Sequence, residues 1–428
     1  WKAVCRLSQY RHCPRKAPEV RRSPIVGEIA RAYGDLERQG KEWYSICPIP
    51  EHHDTNPSCA FNDEKQVWHC HGCKEGGDVF DLLMAIHHTD FPGAIQVLRD
   101  KHDINWQTDR SRTGQSSEKD ALREVVQWTA DMFHDALRGK PGLYDRNSEE
   151  YDLAARYLSN RGFDLGDINK WRLGFSPNYP FALAEAAKVQ KIDRDLLVKA
   201  GLLQVYSDPK EDLPKYRDVF SGRITIPIND NLGRPIGFSA RRISGSSKKK
   251  YINTADTPIF EKSKVLMNWD KALAHARGKN RLVIVEGPLD LLRIVKIGIY
   301  STVCTNGTAL SSAQVEMIAK AKLKKIILFG DGDSAGEIAT VKRGEKLLLK
   351  NQSVYAIKTP EGEDPEVMGK VRPQQTINAL YHPITILQFI YQHTNPKDAM
   401  EKAELGEYFT ELLAKIDDET RKAVLSSE

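Results

Sequence analysis

The chain has 428 residues, of which 40% are apolar and 28% are charged, and its formal net charge is +5. A chain of this length is too long for one compact core, so about three folding units are expected. No apolar run approaches the roughly 18 residues of a membrane-spanning helix, so no membrane segment is predicted. The seven cysteines are odd in number and unevenly spaced, which argues against a secreted disulfide framework and favours a reducing compartment.

The stretch QVWHCHGCKEGGDVFDLLM contains a Cys-x-x-Cys pair formed by Cys70 and Cys73. Haem attachment would need a histidine directly after Cys73, where the chain has Lys74. A thioredoxin-like redox pair would begin a helix, but Gly76 and Gly77 intervene. The spacing therefore favours a metal site, and the Gly-Gly-Asp that follows is predicted to form a turn and a helix N-cap.

The remaining ligands of this metal site are predicted upstream, in the stretch CPIPEHHDTNPS. Cys47 supplies a third thiol, and either His52 or His53 supplies an imidazole. Three thiolates and one imidazole complete a tetrahedral zinc site of the structural kind, in which no position is open for catalysis. One structural Zn²⁺ is therefore predicted. Cys59 is interpreted as a small buried residue of a strand.

The rest of the chain alternates between polar, helical and mixed patterns. Residues 107–120 (QTDRSRTGQSSEKD) lack large aliphatic side chains, which is typical of a linker. A helical pattern begins at residue 121, and mixed structure follows to about residue 278. Residues 281–358 then alternate the short runs RLVIV, YSTVC, KKIILF and SVYAI with helical segments, which predicts a parallel sheet covered by helices. Residues 371–428 are predicted to be helical.

Acidic residues follow three of these predicted strands. They are Glu286 and Asp290 after RLVIV, Asp331 and Asp333 after KKIILF, and Asp364 after SVYAI. Ligands of parallel sheets bind beyond the carboxyl ends of the strands, so these acids are expected to converge. A divalent cation would relieve their mutual repulsion, and oxygen ligands suit Mg²⁺ or Mn²⁺.

Several of these patterns resemble one known family. The cysteine and histidine stretch, with the Gly-Gly-Asp and apolar helix behind it, resembles the zinc-binding domain of bacterial DnaG-type primases. Glu-Gly-x-x-Asp and Asp-Gly-Asp-x-x-Gly resemble the TOPRIM fold, which these primases share with topoisomerases and some nucleases. Residues 154–177, 218–243 and 249–268 are similar to motifs of the DnaG catalytic core. The resemblance spans roughly residues 24 to 420 in the order of the family.

The resemblance implies an α+β multidomain architecture. It consists of an N-terminal zinc ribbon with helices, a linker, a mixed α/β basic subdomain of the RNA polymerase core, a TOPRIM subdomain with a parallel sheet, and C-terminal helices. These are expected at residues 24–106, 107–120, 121–278, 279–370 and 371–428, respectively. The linker would act as a flexible tether.

The resemblance also implies roles for individual acids. Asp331, Asp333 and Asp364 would bind the divalent cation, and Glu286 would organise that site or act as a base. Cations near the acids would bind the template backbone and the triphosphate, and they are Arg223, Arg241, Arg242 and Lys250.

For the zinc site, the family spacing favours one of the two histidines. Five residues before Pro57 is His52, so His52 is preferred to His53 as the fourth ligand. The stretch CPIPEH is longer between cysteine and histidine than the usual C-P-x-H of the family, and this difference keeps the choice open.

The implied function is DNA priming, in which short RNA primers for replication are copied from DNA by metal-dependent nucleotidyl transfer. The expected partners are single-stranded DNA, NTPs and a replicative helicase in trans, and the expected location is the bacterial cytoplasm, for a bacterial, phage or mobile-element protein. Two alternatives use the same motifs. A TOPRIM nuclease with a zinc ribbon would not need the cations at 223, 241 and 250. In a non-catalytic single-strand-binding replication factor, the acids would be relics.

Overall fold

The computed structural model divides the chain into two compact units, with the boundary between Thr108 and Asp109. None of the helices in the described part of the chain combines the length and the apolar character that a bilayer crossing requires. The structure describes residues 25–49, 52, 54, 56–87, 89, 93–95, 97–98, 113–139, 148–205, 216–244, 249–307, 309–416 and 418–426.

The first unit is built on an antiparallel sheet. Its strands are β1 (Glu37–Gln39), β2 (Glu42–Ser45), β3 (Cys59–Asn62), β4 (Val67–Cys70) and β5 (Gly76–Gly77), and each pairs with the next in chain order. Helix α1 (Ile25–Arg31) packs against β3, and helix α2 (Val79–His87) packs against β4 and β5. The Oδ1 of Asp78 accepts hydrogen bonds from the N–H groups of Phe80 and Asp81, so Asp78 caps α2 as the sequence predicts.

Helix α3 (Thr113–Leu137) begins the described part of the second unit. The sequence predicts a linker over residues 107–120, and residues 113–120 of this segment belong to α3. Glu, Gln and Lys have high helix propensity, so a segment without aliphatic side chains still extends an amphipathic helix beyond its buried part. The buried face of α3 begins at Leu122 and includes Val126 and Phe133. Residues 107–112 lie outside the described residues.

The first half of the second unit contains an antiparallel sheet and a short ribbon. The strands are β6 (Gly174–Ser176), β7 (Leu203–Val205), β8 (Tyr216–Asp218), β9 (Arg223–Asn229), β10 (Pro235–Arg242) and β11 (Tyr251–Asn253). The sheet has the order β11–β10–β9–β6, whereas β7 pairs with β8. The helices are α4 (Ser148–Asn160), α5 (Leu165–Trp171), α6 (Ala182–Val189) and α7 (Arg194–Lys199). Helix α3 packs on β6 and β10.

The second half of this unit alternates strand and helix, as the sequence predicts. Its elements are α8 (Trp269–Lys279), β12 (Arg281–Val285), α9 (Pro288–Lys296), β13 (Thr302–Cys304), α10 (Ser312–Lys320), β14 (Lys325–Phe329), α11 (Ser334–Leu348) and β15 (Val354–Ala356). The four strands are parallel, in the order β13–β12–β14–β15. The chain passes from β12 to β13 on one side and then crosses to β14 on the other. The topological switch point therefore lies between β12 and β14, where Glu286 and Asp331 follow their strands.

The last elements are helices α12 (Pro365–Val371) and α13 (Pro373–Tyr381), strand β16 (Ile384–Thr385), and helices α14 (Ile386–Thr394), α15 (Ala399–Ala414) and α16 (Glu419–Leu425). Strand β16 pairs antiparallel with β15 at the edge of the parallel sheet. The sequence does not predict this strand, because two residues are too short for a periodic signal. Buried side chains of α14 and α15 join the core on one face of the sheet, so both faces are covered.

Helix α11 and helix α14 approach so closely that their contact gives a stability test. A Cβ added at Gly344 would overlap the side chain of Ile386. We expect Gly344→Ala to lower the free energy of unfolding by about 1–3 kcal/mol, measured by urea denaturation.

The matched control is Gly406→Ala in α15. Gly406 is also helical, but it is exposed, and a Cβ added there would meet open space. This substitution should raise the free energy of unfolding by up to about 1 kcal/mol through helix propensity. Equal effects of the two substitutions would contradict the close contact.

Candidate active site and metal centres

The four predicted zinc ligands of the first unit lie together. The ligand atoms of Cys47, His52, Cys70 and Cys73 are all within 4.8 Å of one another. The Sγ atoms of Cys47 and Cys73 are 4.0 Å apart, and the Sγ of Cys70 is 3.4 Å from the Nδ1 of His52. Zinc–sulfur bonds of about 2.3 Å at tetrahedral angles place two sulfurs about 3.8 Å apart, so this donor set fits a zinc ion. A Cβ at Gly72 would overlap the His52 ring, so glycine is needed there.

Hydrogen bonds around the donor set connect its two halves. The Oδ2 of Asp54 accepts from the N–H of Cys47 at 3.1 Å and from the hydroxyl of Ser58 at 2.5 Å. The Ser58 oxygen is also 3.3 Å from the Sγ of Cys70. The bond from Ser58 is the main reason that the pKa of Asp54 is lowered. Such outer contacts orient metal ligands before a metal binds.

Cys59 is a buried thiol beside the donor set, not a member of it. Its hydrogen bond with Cys47 is the main cause that raises the pKa of Cys59 and lowers the pKa of Cys47 to about 5. Cys59 therefore interacts with Cys47 and also occupies a buried position of β3. His53, the alternative ligand, lies outside the described residues.

The predicted acids of the second unit converge at the carboxyl edge of the parallel sheet. Glu286, Asp331 and Asp364 line one cavity of about 210 Å³. They follow β12, β14 and β15, three neighbouring strands of the sheet. The convergence that the sequence predicts for these three acids is present in the structure.

Asp331 is the member of this group that most needs a cation. Its Oδ1 is buried, and no donor among the described residues forms a hydrogen bond with it. Burial first, and then the charges of Glu286, Asp364 and Asp333, raise the pKa of Asp331 to about 6. A buried carboxylate oxygen without a partner is costly, and a hard divalent cation supplies the missing partner. The residues present therefore fit a divalent cation.

Asp290 is another of the acids predicted to converge, and it also lines this cavity, although the resemblance implies no individual role for it. It lies in the first turn of α9, where it is buried and accepts hydrogen bonds from the N–H groups of Gly287 (2.9 Å) and Glu366 (3.3 Å). Burial, followed by the charges of Asp331 and Asp364, raises the pKa of Asp290 well above its usual range. Its place in the Glu-Gly-x-x-Asp motif was the available signal in the sequence.

Two of the acids also cap helices. The Oδ1 of Asp333 accepts from the N–H of Gly336 at 2.7 Å at the start of α11. The Oδ1 of Asp364 accepts from the N–H of Val367 at 2.7 Å at the start of α12. Asp364 lines the cavity, whereas Asp333 is exposed and is not among its lining residues. Asp333 is therefore at the margin of the group.

Glycines let the loops of the site approach each other. A Cβ at Gly332 would overlap the carbonyl of Pro360, and the N–H of Gly332 donates to the carbonyl of Glu363 at 2.9 Å. A Cβ at Gly330 would lie 3.1 Å from the Oε1 of Glu286. The two glycines that flank Asp331 thus allow the loop after β14 to pack against its neighbours.

Two of the four predicted cations, Arg241 and Lys250, line the same cavity as the acids, together with Arg161. The guanidinium of Arg241 lies 5.1 Å from the ring centroid of Tyr251. Arg242 is half-buried and is not among the lining residues. The acidic side chains of this cavity suit a metal cation, and its basic side chains suit the phosphates that accompany such a cation.

Arg223, the remaining predicted cation, lines a larger neighbouring cavity and not the carboxylate cavity. It is buried on β9, and its guanidinium donates to the carbonyls of Ala240 (3.4 Å), Lys249 (3.1 Å) and Lys250 (3.4 Å). Burial also lowers its pKa. Arg223 therefore holds the backbone that leads into β11, and its role in binding the template backbone stays a prediction. The sequence could not show this, because the inward position depends on sheet pairing.

The zinc donor set gives a direct test of the role of Cys59. The full chain should bind about one zinc ion, Cys70→Ala should lose it, and Cys59→Ala should keep it, because only the former removes a ligand. Zinc content is measured by atomic emission after dialysis. Loss of zinc from Cys59→Ala would contradict its position outside the donor set.

The pKa of Asp331 gives a second test. Because its folded pKa of about 6 lies above the ordinary value of 3.8, ionisation of Asp331 destabilises the fold as pH rises from the ordinary to the folded pKa. Without added Mg²⁺, Asp331→Asn should raise the free energy of unfolding at pH 8 by about 1 kcal/mol, allowing for solvent screening, and this gain should vanish only below about pH 4.

Added Mg²⁺ should reverse the order at pH 8, because only the wild-type chain gains from binding it. Urea denaturation with and without Mg²⁺ measures both effects. A variant that is less stable than the wild-type chain at pH 8 without Mg²⁺ would contradict the repulsion.

Comparison with known proteins identifies related domains in both units. Residues 16–114 match the family model described as CHC2 zinc finger, residues 144–273 match the N-terminal domain of the DNA primase catalytic core, and residues 283–368 match a Toprim-like model. The zinc-finger match agrees with the Cys₃His donor set of the first unit, and the Toprim-like match agrees with a divalent-cation site in the second.

Curated relatives extend the similarity over most of the chain. The DNA primase of Staphylococcus aureus strain MW2 is 32% identical over 353 residues, which cover 82% of this chain and 56% of the relative. The DNA primase of Staphylococcus epidermidis strain ATCC 12228 is 30% identical over 352 residues, with 81% and 56% coverage. This chain thus spans about 56% of the length of these relatives.

Solved structures share the fold. The Aquifex aeolicus primase, solved as its zinc-binding and RNA polymerase domains, is 27% identical with a TM-score of 0.61, covering 96% of this chain and 94% of that chain. A DNA primase domain from Pseudomonas aeruginosa is 27% identical with a TM-score of 0.60, covering 71% and 93%. The predicted α+β architecture and the resemblance are thereby confirmed, and the chain belongs to the DnaG-type DNA primase family.

Proposed function

We propose that this chain is a primase that copies single-stranded DNA into short RNA primers by nucleotidyl transfer. The observation that carries the proposal is the composition of one cavity. The buried, unpartnered oxygen of Asp331 belongs to a residue that shares this cavity with Arg241 and Lys250. A nucleoside triphosphate with its metal ion needs both kinds of group at the same place.

We assign the catalytic cation to Glu286, Asp331 and Asp364, with Asp333 at the margin of the site. Mg²⁺ and Mn²⁺ are the ions that this oxygen donor set suits. A bound cation of this kind would lower the pKa of an attacking hydroxyl and neutralise charge on the departing pyrophosphate. Asp290 would order the loops that carry these acids, since its carboxylate accepts hydrogen bonds from the backbone N–H groups of Gly287 and Glu366.

The cations of the cavity would bind the phosphates. Arg241 is held by its ring contact with Tyr251, so it presents a pre-ordered fork to a phosphate. Lys250 is exposed and supplies a mobile point charge. Arg242 follows Arg241 on β10 and would contact the template backbone outside the cavity.

A second and larger cavity in the same unit provides a path for the template. It measures about 1150 Å³ and shares Tyr251, Asn253 and Gly307 with the carboxylate cavity. Five cations contribute to its lining, and they are Arg217, Arg223, Lys249, Lys262 and Lys346. A basic groove with an aromatic residue beside it suits a single-stranded polyanion.

The first unit would use its zinc ion for folding and would contact the template. We retain Cys47, His52, Cys70 and Cys73 as the zinc ligands, and we divide the second unit into a basic, a TOPRIM and a helical subdomain at about residues 278 and 370. A replicative helicase acting in trans and a bacterial cytoplasmic location are proposed from the bacterial relatives.

Primer synthesis on single-stranded DNA tests the proposal. The full zinc-loaded chain should convert labelled NTPs into short RNA only when Mg²⁺ or Mn²⁺ and template are present. Asp331→Ala should reduce the rate by at least about 100-fold, because it removes a ligand of the cation. The control is Glu316→Ala in α10. The side chain of Glu316 is half-exposed, its Oε2 lies 4.0 Å from the Nζ of Lys350, and it does not line the carboxylate cavity.

The products distinguish the alternatives. Short RNA from the wild-type chain and the control, but not from Asp331→Ala, would support the primase. Shortened template would instead indicate a nuclease that uses the same acids. Intact template without RNA, from a chain that binds single-stranded DNA, would indicate a non-catalytic replication factor.

A further inference from the structure

A buried arginine lies behind the carboxylate cavity of the second unit. Arg343 belongs to α11, and only 1% of its side chain is exposed. A guanidinium stays charged at any pH at which proteins are studied, so burying one is costly unless it is paired and hydrogen-bonded. The contacts of the Arg343 guanidinium therefore indicate its role.

The guanidinium of Arg343 bridges two parts of the site. Its Nη1 is 3.1 Å from the Oε1 of Glu286, and its Nη2 donates to the carbonyl of Gly307 at 3.3 Å. Glu286 and Gly307 both line the carboxylate cavity, but Arg343 is not among the lining residues. Arg343 thus contacts two residues that line the cavity without lining it itself.

The backbones of the two residues that Arg343 bridges are anchored separately. The carbonyl of Glu286 accepts from the Sγ of Cys304 at 3.0 Å, and the carbonyl of Gly307 accepts from the hydroxyl of Thr305 at 2.5 Å. For the side chain of Glu286, the hydrogen bond found among the described residues is the one from Arg343. The direction of this carboxylate therefore depends on a charge-assisted bond.

We propose that Arg343 is a positioning residue for nucleotidyl transfer: it holds the Glu286 carboxylate in the orientation that binds the cation, and it fixes the 305–307 segment at the edge shared with the larger cavity. The inference rests on the proposed primase function for its kinetic consequence, but not for its consequence on cation binding. One helix thereby serves the site twice, since α11 also begins at the cap residue Asp333.

A buried arginine could also serve only to stabilise the core. The test therefore needs a readout that does not change when stability alone changes. We compare Arg343→Lys and Arg343→Met with Lys342→Met, which removes an exposed cation from the neighbouring position of the same helix. Arg343→Lys keeps the charge and most of the volume, but a lysine lacks the planar fork that bridges two acceptors. Circular dichroism selects variants that remain folded.

Two readouts are measured on the full, zinc-loaded chain. Binding of Mn²⁺, followed by electron paramagnetic resonance, should weaken at least about threefold in Arg343→Lys and more in Arg343→Met, because the Glu286 carboxylate is no longer held toward the ion. In primer synthesis, kcat should fall at least about tenfold while KM for NTPs stays within about twofold, because Arg241 and Lys250 are intact. Lys342→Met should leave both unchanged.

The outcomes separate this inference from the proposed function. Unchanged or tighter Mn²⁺ binding in folded Arg343→Lys overturns the positioning role, whether or not primers are made. Weaker Mn²⁺ binding with no primer synthesis by the wild-type chain supports the positioning role and overturns the primase. A rise in KM without a fall in kcat would assign Arg343 to nucleotide binding instead and would also overturn the inference.

Discussion

Repulsion between carboxylates at the carboxyl edge of the parallel sheet is the constraint on which the second unit depends. Glu286, Asp331 and Asp364 share one cavity, and Asp290 lies beneath them. Burial, and then the like charges of the neighbouring acids, raise the pKa of Asp331 to about 6. A fold that maintains this arrangement without a cation carries a cost, and the cation that removes the cost is the one that the proposed chemistry needs.

The surrounding structure holds the acids in place despite their repulsion. The switch point between β12 and β14 brings Glu286 and Asp331 to one edge, because the chain crosses from one side of β12 to the other. Helix caps fix Asp333 and Asp364, and a buried arginine contacts Glu286 from behind. Helix termini, glycines at close approaches and one buried ion pair thus all serve the same cavity.

The first unit also holds a set of metal ligands together, but with different chemistry. Its core is small, and its two ligand-bearing segments are joined through Asp54, Ser58 and the thiol of Cys59. Soft sulfur ligands and a complete coordination shell suit a structural zinc ion, whereas the oxygen ligands of the second unit suit a hard ion with open positions. The two sites therefore differ in donor type and in the number of positions left to substrates.

Sequence reasoning predicted what depends on local pattern. The strands that precede Glu286, Asp331 and Asp364 are short β-branched runs, and a parallel sheet has only one edge at which their ends meet. The zinc donor set followed from residue types and spacing in the same way. Both therefore needed no knowledge of tertiary packing.

What the sequence did not predict depends on packing between distant segments. The inward position of Arg223 follows from the pairing of β9 with β10, and the polar start of α3 is helical although its residues form no apolar pattern. Arg343 is a cation in a partly polar helix, and nothing in its neighbourhood in the sequence indicates that it reaches Glu286. The position of Asp290 was indicated by its motif, but nothing in the sequence indicated that its side chain would be buried.

The most direct test of this account is anomalous diffraction from crystals of the full chain soaked in Mn²⁺. The account predicts an anomalous peak within bonding distance of the Oδ1 of Asp331, with Glu286 and Asp364 as neighbouring ligands. Crystals that show Mn²⁺ elsewhere on the protein, while the cavity of Asp331 holds no peak, would contradict the claim that a divalent cation relieves the repulsion among these acids.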